Sequence, residues 1–205
     1  MWKLNFPDKK YGIIYIDPAW EYECKFVGGT HRTSSSNYKY DVMSNAELKE
    51  LPIKKIADDN CILFCWATYP KLNEVFDLIS AWGFTYKTVA FTWIKTNKKS
   101  SGYFMGRGSW TRANAEIVLL ATKGKPKRLD AGISQIIISP VQEHSKKPNI
   151  VRNKIIQLVG DLPRIEIFAR TKVHGWDVIG NDEKLQNLPL ESFSHQLINK
   201  ELLLD

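Results

Sequence analysis

The run Asp17-Pro18-Ala19-Trp20 directly follows a short apolar segment, Tyr11–Ile16 (YGIIYI). A carboxylate, a rigid ring and an exposed indole within four residues would form a small platform for a planar ligand that carries an amine. The aspartate would accept one N–H and the Pro18 carbonyl another, while the indole or a nearby tyrosine stacks on the base. Two acceptors holding both N–H bonds of a conjugated amine pull its nitrogen toward a tetrahedral shape and aim the lone pair at an electrophile. Positioning and electrostatics of that kind supply most of a rate enhancement. Asp-Pro also starts ordinary turns, and Trp20 could be packing, so the tetrapeptide alone leaves both readings open.

The elements that must position these residues follow from periodicity. Tyr11–Ile16, Cys61–Trp66, Thr88–Ile94, Glu116–Ala121, Gln135–Ser139 and Arg164–Phe168 have the length and composition of buried strands. Ser44 followed by Glu47 is a capping box that opens a helix through about Ile56. Apolar spacing at Leu72, Val75, Phe76 and Ile79 predicts a helix over Pro70–Trp82, stopped by Gly83, and another spans Pro148–Val159. Strands alternating with helices predict an α/β fold with a mainly parallel sheet and helices on both faces, in which the Glu116 strand, lacking a preceding helix, runs antiparallel. Residues 21–41 and 96–113 are long polar loops of the kind that carry function. In such sheets ligands bind beyond the carboxyl ends of the strands, which is where Asp17 falls.

Composition narrows the class. The 205 residues suit one domain, 43% of them are hydrophobic, and no stretch is long and apolar enough to span a membrane. The N-terminus lacks the apolar core of a secretory signal, and three cysteines cannot all pair, which points to a reducing cytoplasm. Cys61 and Cys65 lie on one face of an apolar strand and read as core rather than as a metal pair. No clustered set has metal-ligand spacing. The net charge of +7 concentrates in residues 95–128, where nine Lys and Arg face one acid, Glu116. Interleaved with Tyr103, Phe104 and Trp110, this stretch has the composition of a polyanion-binding surface, although a solvated lysine-rich surface accounts for it equally well.

The DPAW run resembles the Asp-Pro-Pro-Trp signature of the MT-A70 family of adenine-N6 methyltransferases, especially its bacterial and phage members. The similarity continues in family order through NYKYDVMS, ILFCWAT, AWGFTYKTVAFTWIKTN, FMGRGSWTRANAE, LLATKGKPKR, EHSKKP and IEIFAR to GWDVIGND. The resemblance implies a Rossmann-like fold over residues 1–183 whose catalytic motif precedes the cofactor-binding segments. Residues 184–205 are left as a tail, with apolar positions at Leu190, Phe193, Leu197 and Ile198, that packs on the domain or on a partner. It also implies S-adenosylmethionine as cofactor. Asp17, Pro18, Ala19 and Trp20 would form the catalytic platform, with Tyr40, Glu116 and Lys147 at the target base. Asp17, Lys147, Arg170, Asn181 and Asp182 would face the cofactor, and Lys98, Lys99, Arg107 and Arg112 the nucleic acid. Cytosine-N4 enzymes commonly carry serine where this chain has Asp17, which favours adenine. Ala19 replaces the usual second proline, leaving the Pro18 carbonyl in place.

Three functions are consistent with this reading: adenine-N6 methylation of DNA, the same chemistry on RNA, or a non-catalytic nucleic-acid-binding subunit. Retention of both the aspartate signature and the cofactor residues argues against the third. The small size and the likeness to bacterial and phage members favour DNA. A monomer, a homodimer and a complex with a second subunit are all compatible with the residues. Taken singly, Lys147-Pro148 could merely start a helix, Gly180-Asn181 could be a turn, and His144 and His174 surface residues.

Overall fold

β1 (Tyr11–Ile16) is buried at all six positions because both faces of the strand are covered. Alternate side chains point to opposite faces. Ile14 and Ile16 join a core with Leu48, Ile53, Leu78 and Ile79, whereas Ile13 and Tyr15 join one with Val151, Ile155 and Val159. The computed structural model describes residues 4–21, 23–24, 32–33, 41–106, 108, 110–143 and 146–180. Most of the 21–41 loop, together with Tyr40, Arg107, Asn181, Asp182 and the 184–205 tail, lies outside the described residues. Within that loop a two-stranded antiparallel ribbon pairs β2 (Glu23–Cys24) with β3 (Arg32–Thr33).

The main sheet continues with β4 (Ala57–Ala67), β5 (Thr85–Thr96), β6 (Ala115–Lys123), β7 (Ile136–Pro140), β8 (Arg164–Ile167) and β9 (Asp177–Ile179). Its order is β7-β5-β6-β4-β1-β8-β9. Only β6 runs antiparallel to its neighbours. Helices α1 (Asn45–Lys49), α2 (Ile53–Ile56) and α3 (Leu72–Ala81) cover one face and α4 (Ile150–Val159) the other. This is the expected Rossmann-like architecture, with the antiparallel strand where the sequence placed it.

Several boundaries differ from expectation for local reasons. The helix opened by Ser44 has its capping box, with Glu47 N–H donating to Ser44 Oγ and Ser44 N–H to Glu47 Oε2. It ends at Lys49 instead of near Ile56, because Pro52 cannot donate in a helix interior and disfavours helical geometry at Leu51. The chain restarts as the single turn α2. β4 begins four residues before Cys61; Asp58, Asp59 and Asn60 are exposed, so the apolar pattern did not reveal them as strand. β9, only three residues long, is too short to leave a periodic signal. Cys61 and Cys65 are fully buried free thiols on one face of β4. Burial raises both, Cys61 to about 12, so neither is a reactive thiolate at neutral pH.

The antiparallel course of β6 also divides the basic stretch. Its nine residues extend roughly 30 Å, so Lys123, Lys125, Lys127 and Arg128 emerge at the end of the sheet opposite Lys98, Lys99 and Arg112. Lys123 donates to the Ala57 carbonyl and lies near Asp59. What reads as one basic cluster in sequence is therefore two, and only the 95–112 part adjoins Asp17.

Candidate active site

From β1 the chain turns toward β4, and from β8 toward β9, so a crevice opens between the carboxyl ends of these two central strands. Asp17 follows β1 there, and Arg170 follows β8. On the β1 side of the crevice lie the end of β4 and the β5–β6 connection, and the segment before α4 brings Lys147 to Asp17. Just past β8, Phe168 adopts a positive φ of 64°. This is uncommon for a bulky residue and is a form of strain concentrated at functional sites. The turn lets Ala169 N–H donate to the Ile179 carbonyl.

Four charges of alternating sign cross the crevice. Lys147 Nζ is 2.8 Å from Asp17 Oδ2 and 3.3 Å from Glu116 Oε2, the latter an ion-pair contact outside hydrogen-bonding geometry. Glu116 Oε1 accepts from Lys95 Nζ at 2.5 Å. Trp66 and Trp93 underlie the two cations, at 5.3 Å from Lys147 and 5.0 Å from Lys95 to the ring centroids. Asp17 retains 32% of its side-chain exposure, so it is the member of the chain open to a ligand. One lysine N–H occupies one of its roughly four acceptor sites.

These neighbours set the protonation states. Burial raises the Asp17 carboxyl and Glu116 adds to the rise, opposed by Lys147 and, more weakly, Arg170. Burial would also raise Glu116, but Lys147 and Lys95 outweigh it and hold that carboxyl below its usual value. Lys147 is disfavoured by burial, yet its two anions overcome this and keep it cationic well above its usual range. The trio titrates as a coupled unit.

The sign of the pH response follows. Protonating Glu116 removes stability as pH falls through its lowered value. Asp17 acts oppositely, contributing stability at low pH that is lost as pH rises through its raised value. A reaction that needs the Asp17 anion therefore loses rate on an acid limb whose midpoint lies above the 3.8 of an ordinary aspartate. Initial rates against pH measure this; a limb at or below 3.8 contradicts the burial of Asp17.

Two parts of the DPAW reading change. Trp20 is not an exposed platform: it is 6% exposed and packs in the core with α1 to α3. The cause is local. Met43 N–H donates to the Ala19 carbonyl and Glu21 N–H to the Met43 carbonyl, which folds the segment back and turns the indole inward. The Pro18 carbonyl accepts from Trp20 N–H at 2.8 Å, leaving one lone pair for a ligand.

A second buried network lies beneath the site. Arg152 of α4 makes a two-pronged pair with Glu166 of β8, at 2.6 and 2.8 Å. Its guanidinium lies 5.9 Å from the Tyr15 ring centroid, and the Tyr15 hydroxyl accepts from Trp66 Nε1 at 2.6 Å. Burial raises Glu166, with Arg152 opposing. Lys95, Tyr15, Trp66, Arg152 and Glu166 were not singled out from the sequence. A clue existed in IEIFA, where a carboxylate inside an apolar strand demands a buried partner. Lys95, inside FTWIKT, carries the same clue for a cation.

The structure thus brings together Asp17, Glu116, Lys147 and Arg170, and places Lys98, Lys99 and Arg112 on an exposed loop at the same end of the sheet. Asp17 and Pro18 have the acceptors to hold an amine.

Comparison with known proteins is consistent with this arrangement. The MT-A70 family description matches residues 11–182. The chain is similar to the type II methyltransferase M.MunI of Mycoplasma sp, with 34% identity over 188 residues covering 84% of this chain and 78% of that protein. It is also similar to the N(6)-adenosine-methyltransferase catalytic subunit METTL3 of Homo sapiens, 26% identical over 84% of this chain but only 28% of that protein. The Homo sapiens N(6)-adenine-specific methyltransferase METTL4 is 24% identical over 87% of the chain and 38% of its own length. A family match spanning every strand of the sheet, with the aspartate motif at its switch point, makes this chain a member of the MT-A70 family.

Proposed function

We infer that this chain transfers a methyl group from S-adenosylmethionine to the N6 amine of adenine in DNA. The observation that carries the reading is the ligand-accessible Asp17 carboxyl at the switch point, held by Lys147 and set beside the Pro18 carbonyl. The residues suit the cofactor: Lys147 would take its carboxylate, Arg170 its ribose, and Asn181 and Asp182 its ribose and adenine. When bound, the cofactor supplies an electrophilic methyl on a sulfonium.

Asp17 accepts one N–H of the adenine amine and the free lone pair of the Pro18 carbonyl accepts the other. The nitrogen lone pair, otherwise delocalised into the ring, is thereby directed at the methyl carbon. Once methylated, the amine would be a strong acid, and its proton would pass to Asp17 or to water. The raised affinity of Asp17 for a proton suits that last step. Glu116 supports the target site by fixing the lysine that faces Asp17, and Tyr40 is the tyrosine that the family resemblance gives to the target base. The higher identity and coverage shared with the type II methyltransferase favour DNA. RNA is the second reading, favoured by relatives named N(6)-adenosine-methyltransferases. The natural setting would be the cytoplasm of a bacterial or phage-infected cell, with residues 1–183 as the methyltransferase domain.

Plasmid DNA incubated with labelled cofactor tests the activity; no label in adenine at low salt rejects it, and competing RNA in the same assay separates the substrates. A non-catalytic subunit would bind no cofactor by calorimetry. If Lys98, Lys99, Arg107 and Arg112 contact phosphates, kcat/KM falls by roughly two orders of magnitude between about 50 and 200 mM salt. A flat salt response removes those four residues from the interface.

A further inference from the structure

The connection from β5 to β6 leaves the sheet at the crevice, since Lys95 before it and Glu116 after it both belong to the charged chain. It is anchored by backbone bonds. Lys95 N–H donates to the Asn114 carbonyl, Phe104 N–H to the Lys95 carbonyl and Asn97 N–H to the Gly102 carbonyl. Gly106 and Ala113 exchange a pair of bonds at 3.1 and 3.3 Å. A side chain at 106 would meet the Ala113 carbonyl at 2.4 Å, so this close approach requires glycine.

Beyond this neck Trp110 is fully exposed, and before it Tyr103 and Met105 are more than half exposed. Lys98, Lys99 and Arg112 are exposed around them, and residues 96–114 contain no acid. A tryptophan held wholly in water on an anchored, purely cationic projection suits a partner that is both anionic and rich in planar faces. Duplex DNA has both properties. Chemistry on an adenine N6 requires the base to leave the stack, and the gap it leaves must be filled or closed. An indole offers a face of base-like size, and stacking on aromatic side chains is indifferent to base identity.

We propose that Trp110 enters the DNA duplex and occupies the stack in place of the extruded adenine. The proposal rests on the adenine-N6 DNA reading. Because the side chain is fully exposed and packs on none of the described residues, its replacement leaves folding intact. The test compares the full chain and its Trp110→Ala and Trp110→Phe variants on three oligonucleotides carrying one unmethylated target adenine. These are the duplex, the same strand alone, and a duplex with an abasic position opposite the target adenine. For Trp110→Ala, kcat/KM on the intact duplex falls by roughly one to two orders of magnitude. The single strand and the pre-opened duplex stay within about threefold, because their extrusion step is already relieved. Trp110→Phe recovers most of the duplex activity. Equal losses on all three substrates, no loss on the duplex, or an altered oligomeric state by sedimentation would each overturn the proposal. Absence of adenine methylation by the unaltered chain on every substrate would instead overturn the enzyme reading.

Discussion

Asp17→Asn lowers methyl transfer to adenine by roughly three orders of magnitude while cofactor affinity, measured by calorimetry, stays within about tenfold. The amide keeps the shape of the side chain and one acceptor oxygen, so the loss isolates the negative charge. That charge has two tasks in the structure. It holds Lys147 at 2.8 Å, and in the proposed mechanism it would offer the amine an acceptor strong enough to distort it. Removing it leaves Lys147 neutralised by Glu116 alone, so the lysine shifts toward that partner and the amine loses its orientation. The acid limb of the rate profile, set in the parent by the raised Asp17 carboxyl, then disappears from the residual activity. Full activity in Asp17→Asn, or an unchanged acid limb, would remove Asp17 from the chemistry.

Arg152→Met destabilises the fold by about 3–5 kcal/mol, a large share of the total for a domain of this size. The melting temperature drops by roughly 10 °C, which circular dichroism will read. The cost arises less from the lost pair than from the Glu166 carboxylate left without its guanidinium on a buried strand. Burial already raises that carboxyl, and without Arg152 it rises further, so the deficit shrinks as pH falls and Glu166 becomes neutral. Adding Glu166→Gln to Arg152→Met recovers part of the stability at neutral pH, because no buried charge remains. A melting temperature unchanged by Arg152→Met, or a deficit constant with pH, would show that solvent reaches Glu166. Because Tyr15 and Trp66 connect this pair to the floor beneath Lys147, the variant also loses activity below its melting point.

Much of this was legible in the chain. YGIIYI before Asp17 announces a strand buried on both faces with a carboxylate at its end, and the strand-helix alternation announces the sheet that supports it. The missing helix before Glu116 even marks the single antiparallel strand. Each of these is a local property: periodicity and punctuation act over a few residues and survive in sequence. Pro52 was equally legible as a helix breaker, and weighing it would have divided the helix opened by Ser44.

The sequence by itself determined the acceptor motif, its place after the first strand and the family order of segments through residue 182. Only the tertiary structure decided which of the charged residues meet. Lys95, Glu116, Lys147 and Asp17 come from four separate parts of the chain, and their alternation depends on strand order and register. The same antiparallel strand that brings Glu116 to Asp17 carries Lys123 to Arg128 away from it, and Trp20 turns inward because Met43 ties its backbone. Charges interact through space over several ångströms, whereas sequence patterns record neighbours along the chain. The sites built from long-range pairs therefore had to wait for the fold.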